Sequence, residues 1–325
     1  MTQSLLSLSF RVWWIPVFVV TVGTAALTVG ADTGDLPFFV HAADDLFSRR
    51  WADVYANPDL QVGPLQLLLL ALADALAGAL SISTLTLLAF AVPLGVTALF
   101  LVFLRRLLVE RLERRPLVLM AAGVTFAALG LPAAAYMDGH MAQAVVPLLW
   151  LLAGLEARKG RMLAAGGLLG LSAGFELWGL LGVVVLVLAP RMREILVGVA
   201  VQTAVVAALF APFALAGELR MFDYHWVVNG STLLSLLVEP GTEFTWWMRL
   251  AQGGTALAVG AALTWPLRRS LHAVWLAPLA VVAVRLALDP VRYPWYWLAL
   301  EVLVVVGVVE LSTSERFRRY YPARA

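Results

Sequence analysis

Long apolar runs separated by short polar segments dominate the chain. Residues 12–30, 82–104, 116–135, 141–155, 162–175, 177–189, 195–216, 250–267, 273–288 and 297–311 each read as an apolar helix, because uninterrupted apolar stretches of this kind are membrane spans or embedded helices. The stretch 162–189 breaks at Gly174-Phe175-Glu176 and is long for one straight crossing, so it predicts two short helices. Residues 64–80 differ. From Pro64 to Gly78 a helix would run about 22 Å, against roughly 30 Å of hydrocarbon, and the run carries Asp74. It is expected to lie on the outer face without crossing.

Polar segments interrupt this pattern at four places. The longest, residues 31–81, opens with an amphipathic helix in which Leu36, Phe39, Val40, Ala43, Leu46 and Phe47 share one side and His41, Asp44, Asp45 and Ser48 the other. The others are Tyr136-Met-Asp-Gly-His140, residues 217–248 and residues 289–296.

Composition confirms the class: 325 residues, 62% hydrophobic and 14% charged, make a polytopic membrane protein, with one transmembrane domain over residues 1–325. The expected fold is all-α, with about 10 transmembrane helices plus juxtamembrane helices on the outer face. The first run lacks a cleavage site and reads as a retained span. The absence of cysteine excludes disulfides, thiolate metal sites and cysteine nucleophiles. Charge placement sets the topology. With residues 64–80 outside, 17 Lys/Arg lie inside, 5 outside, and Arg285 is embedded; if that run crossed, 4 would lie inside and 18 outside. The positive-inside rule selects the first arrangement, with both termini cytoplasmic and residues 312–325 a basic cytoplasmic tail.

Several polar residues are candidates for chemistry, each with a plainer alternative. Asp35 precedes a helix with Pro37 in its first turn, so it is either an N-cap or a carboxylate presented at the membrane boundary as a base. Asp44 and Asp45 point about 100° apart on a helix and read as a solvated face, not a metal pair. Trp51 and Tyr55 suit an interface, with carbohydrate stacking as the functional alternative. Arg285 lies one turn before Asp289, an intrahelical ion pair unless it joins Arg292 in holding a phosphate beside Tyr293, Trp295, Tyr296 and Trp297. His225 sits among loop aromatics. Asp138 and His140 open a helix, as cap or as sugar contact. Glu176 stands at a helix break beside Trp178, and Glu310 reads as interfacial.

The order of these features resembles the membrane-embedded GT-C glycosyltransferases that use polyprenyl-phosphate sugars, in particular the actinobacterial mannosyltransferase-like branch of glycosyltransferase family 87. The matching pieces are Asp35 before an aromatic helix, Trp51-Ala-Asp-Val-Tyr55, Gly63-Pro64-Leu65 and Tyr136-Met-Asp-Gly-His140. They continue with the glycine-rich segment from Ala165 to Gly174 and Asn229-Gly-Ser-Thr. The likeness covers most of residues 12–311. It departs where the family often has Pro-Pro, here Gly63-Pro64, and where a lysine is common, here near Glu176.

The resemblance implies inverting transfer of mannose or another hexose or pentose from a polyprenyl-phosphate donor to a lipid or glycan acceptor at the outer face of the plasma membrane. Asp35 would be the base. The donor phosphate would meet Arg292, His225 and Arg285, and the sugar or acceptor His140, Asp138, Tyr55, Trp51, Tyr293 and Trp295. Such a reaction calls for no metal or other cofactor and no nucleotide-binding glycine loop, and the expected partners include membrane lipids but no nucleic acid. Two rival readings are a transporter or lipid flippase, from the embedded Glu176 and Arg285, and an inactive assembly subunit that keeps the fold.

Overall fold

A computed structural model describes residues 12–108 and 115–314. Arg11, Arg111, Arg114 and most of the basic tail, all used in the charge count, lie outside the described residues. Among those described, the fold is helical, and β-pairing is confined to two isolated bridges, Val62 with Glu176 and Val227 with Glu243. In chain order the α-helices are α1 Trp14–Ala26, α2 Leu36–Asp44, α3 Pro64–Leu80, α4 Thr84–Leu108, α5 Arg115–Ala128, α6 Leu131–Met137 and α7 Ala142–Arg158. They continue with α8 Met162–Phe175, α9 Met192–Ala216, α10 Trp246–Thr264, α11 Ala273–Ala287 and α12 Trp297–Thr313.

Four stretches are long and apolar enough to cross a membrane: Thr84–Leu108, Pro116–Met137, Met192–Ala216 and Pro294–Thr313. Trp14–Ala26, Pro64–Leu80, Met162–Phe175, Leu177–Leu188 and Ala273–Ala287 are apolar but shorter. The stretch 162–189 divides as its composition predicts. Its second half is a 3-10 helix, Leu177–Leu188. At about 2.0 Å per residue, its 12 residues reach roughly 24 Å, more than the same number in an α-helix. Between the halves Glu176 is fully extended, with φ −151° and ψ 145°, and bridges to Val62.

Helix α7 is the centre of the molecule, with almost every residue from Ala142 to Ala157 buried. Trp150 fixes the broken segment to it by donating its indole N–H to Ser172 Oγ and to the Gly179 carbonyl, both at 3.1 Å. On its other side α8 packs on α9 through Gly166, Gly170 and Gly174. A Cβ at these positions would come within 2.4 Å of the Gly198 carbonyl, 2.4 Å of Val205 and 2.6 Å of Leu209. Small residues at a spacing of four let two helix backbones approach, which is how helices associate where burial from water supplies no drive.

The amphipathic reading of residues 36–48 holds for its first half only. Leu36, Phe39 and Ala43 are buried, but α2 stops at Asp44 and Phe47 is 67% exposed. Glu310, near the end of α12, is buried within the protein, where His272 and Trp275 both direct ring nitrogens at its Oε2.

Candidate active site

The four polar segments and the helix break meet at one end of the bundle. The loop before α2 lies against the turn before α7. Gly139 is held at φ +72°, and a Cβ there would sit 2.6 Å from the Leu36 amide. Gln66, in the first turn of α3, donates to the Gly139 carbonyl at 3.3 Å. Gly63 donates its amide to the Phe175 carbonyl at 2.6 Å, pinning the start of α3 to the break. A Cβ at Gly63 would come within 2.2 Å of the Gly174 carbonyl, so this packing admits only glycine at position 63. Residues 217–248 join through bonds from the Arg220 amide to the Tyr55 carbonyl and from the Asn229 amide to the Pro290 carbonyl.

This packing brings together three titratable groups far apart in sequence. His140 sits between two carboxylates, its Nε2 3.1 Å from Asp35 Oδ2 and its Nδ1 3.4 Å from Glu176 Oε1. Glu176 is itself fixed, since Gln143 Nε2 donates to its Oε2 at 3.0 Å and Trp178 Nε1 donates to the same atom at 2.6 Å. His140 and Gln143 are one turn apart, so the start of α7 presents both to the break. The Asp35 side chain is 55% exposed, and those of His140 and Glu176 are 14% and 12% exposed. One open carboxylate therefore connects through an imidazole to a buried one.

The charges follow this geometry. Burial alone would lower the His140 pKa, but hydrogen bonds to Asp35 and Glu176 and the field of both carboxylates outweigh it and raise it to about 9. The His140 hydrogen bond holds the Asp35 carboxyl below its usual value, against the opposing effect of partial burial. Asp138 moves the other way, because burial raises it more than His140 lowers it. Asp35 makes no side-chain cap to α2.

Aromatic rings form one wall. The His140 ring stacks on Trp295 at 4.8 Å, and Trp295 stacks on Tyr293 at 4.5 Å, while Phe39 meets His140 edge-on at 5.3 Å. Beyond Trp178 lies Arg285, its guanidinium 4.7 Å from the Trp178 ring and 5.0 Å from the Tyr296 ring. Its Nη2 reaches Asp289 only at 3.8 Å, and its buried Nη1 has no hydrogen-bond partner. Arg285 thus pairs with Asp289 and keeps one donor without a partner.

Unpartnered buried polar atoms concentrate here. Among the described residues, Gln66 Oε1, Gln143 Oε1, Trp226 Nε1, Arg285 Nη1 and Trp295 Nε1 lack partners, and Glu194 Oε2, on α9, completes the set. Each such atom costs on the order of 1–3 kcal/mol unless something satisfies it. The first five belong to side chains that touch the His140 neighbourhood, through Gly139, Glu176, Tyr293, Trp178 or His140 itself.

Arg292 lies at an apolar groove of about 380 Å³ formed with Ser231, Leu233, Leu286, Trp297 and Leu300, its guanidinium 5.2 Å from the Trp297 ring. The remaining sequence candidates stand apart. His225 pairs with Glu243 at 2.7 Å in an exposed position. Tyr55 is fully buried and donates its hydroxyl to the Val62 carbonyl at 3.0 Å. Trp51 packs edge-on against Phe213 at 6.1 Å. Asp45 is taken by Arg50. Among the described residues no group of three or more His, Asp or Glu is placed to hold a metal ion.

Sequence reasoning gave Glu176 a role only in the rival transport reading, named Trp178 and Phe39 without placing them at a site, and did not reach Gln143. The available signal was a lone carboxylate at a break in an apolar run, whose cost demands partners. Comparisons with protein-family models, with curated proteins and with solved structures give no match.

Proposed function

We propose that the chain is a multi-pass membrane glycosyltransferase of GT-C type. It moves a sugar from a polyprenyl-phosphate donor to an acceptor hydroxyl at the outer face of the plasma membrane, with both termini cytoplasmic and about 10 crossings. The observation that carries this reading is Asp35, a half-exposed carboxylate held through His140 to the buried Glu176, beside a flat aromatic wall. In the reaction the acceptor oxygen attacks the anomeric carbon from the face opposite the phosphate. The carbon–oxygen bond to the phosphate breaks, the lipid phosphate leaves with that electron pair, and Asp35 takes the hydroxyl proton. Its lowered pKa keeps Asp35 ionised, and the hydroxyl gives up its proton as the new bond forms.

The protonated His140 offsets one of the two carboxylates, which lowers the repulsion an anionic donor meets at Asp35. The free Nη1 of Arg285 supplies a fixed donor for the departing phosphate, and Arg292 a second positive charge at the mouth of the apolar groove, which takes prenyl units. Trp295 and Tyr293 offer a stacking surface to the sugar. The test is a donor screen with the purified chain. Release of polyprenyl phosphate together with a glycosylated acceptor supports the proposal, and lipid movement across vesicles without product supports transport.

A further inference from the structure

A second groove opens at the other ends of α7 and α8, where Arg106, Glu156, Lys159 and Arg161 surround a volume of about 640 Å³. Its floor is Ala164, Gly167, Leu168 and Leu171 of α8. These positions fall at i, i+3, i+4 and i+7, one straight stripe along the helix, about 10 Å long at 1.5 Å per residue. Gly167 faces open space, with nothing within 4 Å of where its Cβ would be. The opposite side of the same helix has no such room, as Gly166 and Gly170 show by their close approach to α9.

The rim is cationic on balance. Arg106 and Arg161 share one carboxylate, with Nη1 atoms 3.2 and 3.3 Å from the Oε1 and Oε2 of Glu156, and both arginines remain about half exposed or more, at 48% and 66%. Among the described residues Lys159 makes no ion pair. Three cations against one buried anion leave two positive charges at the head of an apolar stripe.

The geometry points to a binding site for an anionic phospholipid, with the headgroup phosphate among Arg106, Lys159 and Arg161 and one acyl chain along the Gly167 face of α8. Charge complementarity selects the anionic class, and the stripe running away from the cations selects an amphiphile over a free anion. A linear chain fits because Gly167 lets methylene groups lie against the helix backbone, much as small residues admit a neighbouring helix elsewhere on α8. The site involves none of the groups assigned to sugar transfer and stands independently of that reading.

The experiment uses the purified full chain in a neutral detergent. Its melting midpoint is followed while phosphatidylglycerol, phosphatidylcholine of the same acyl chains, or inorganic phosphate is added, since a ligand of the folded state raises the midpoint by mass action. Phosphatidylglycerol is expected to stabilise the protein at concentrations where phosphatidylcholine and phosphate do not. Lys159→Gln with Arg161→Gln should weaken its apparent affinity about 25-fold, roughly fivefold for each basic residue near an anionic headgroup. Gly167→Leu, which fills the groove without meeting the core, should abolish the preference while leaving the lipid-free midpoint unchanged or higher. Equal stabilisation by the two lipids, equal stabilisation by phosphate, or a phosphatidylglycerol effect that persists in both variants would overturn the assignment.

Discussion

His140 Nε2 lies 3.1 Å from Asp35 Oδ2, across 105 residues of sequence, while its other ring nitrogen faces Glu176. Both nitrogens donate only when the ring is protonated, so the arrangement is a cation between two anions. With a folded pKa of about 9 against 6.5 for the free side chain, this cation contributes stability that is complete below pH 6.5 and is lost as pH rises through 9. Asp35, whose pKa is lowered, contributes stability present above its ordinary 3.8 and lost only as pH falls through its lower folded value. The contribution of this pair to thermal stability is expected to be flat between about pH 4 and 6.5 and to decline toward 9. His140→Gln should remove the alkaline decline, and melting curves across this range check it.

Glu176→Gln keeps a hydrogen-bond acceptor for His140 Nδ1 but removes a charge. The His140 pKa should then fall from about 9 toward 6.5, read directly by nitrogen NMR of labelled histidine. Sugar transfer in this variant should lose its activity at a correspondingly lower pH, with kcat reduced and the donor KM little changed. An unshifted imidazole titration contradicts the role given to Glu176.

Gly139→Ala places a methyl group against the Leu36 amide at a positive φ. The combined strain is about 1–3 kcal/mol, and the turn must separate from the Asp35 loop to relieve it. We expect a lower melting midpoint together with loss of the alkaline stability transition, because Asp35 no longer reaches His140.

Arg285→Met removes the free Nη1 and leaves buried Asp289 with only the field of Arg249 to offset its charge. Burial already pushes the Asp289 carboxyl upward against Arg285, so in the variant it should take up a proton. Donor turnover should fall about 10²- to 10³-fold, the scale of losing one fixed oxyanion donor. Arg285→Lys should not restore it, since a lysine cannot lie flat between Trp178 and Tyr296 while donating outward. The measurement is kcat/KM with varied donor.

The sequence made the helical class legible, and the positions of most apolar elements, because hydropathy is a local property. The break at Glu176 was also visible, as a carboxylate that no apolar run carries without cause. The partner of Asp35 was not. Its contact with His140 arises from the fit of Gly139 against Leu36 and of Gly63 against Gly174, and local patterns carry no information on which turn meets which loop. Tyr55 shows the reverse limit. An aromatic near an interface reads as exposed, yet its hydroxyl is drawn inward by the Val62 carbonyl as the loop folds back. The end of α2 at Asp44 was hidden for a similar reason, since the chain tightens there into a 3-10 turn, Asp45–Phe47, closed by the Ser48 amide on the Asp45 carbonyl, which the helical pattern of apolar residues does not anticipate.

The most direct test of the account compares wild type with Asp35→Asn, matched in melting midpoint, in single-turnover transfer from a polyprenyl-phosphate sugar. The asparagine keeps an acceptor for His140 but cannot take the hydroxyl proton. The account predicts unaltered donor binding and a transfer rate lower by at least about 10²-fold, the usual weight of a general base. Equal rates for the two proteins would contradict it.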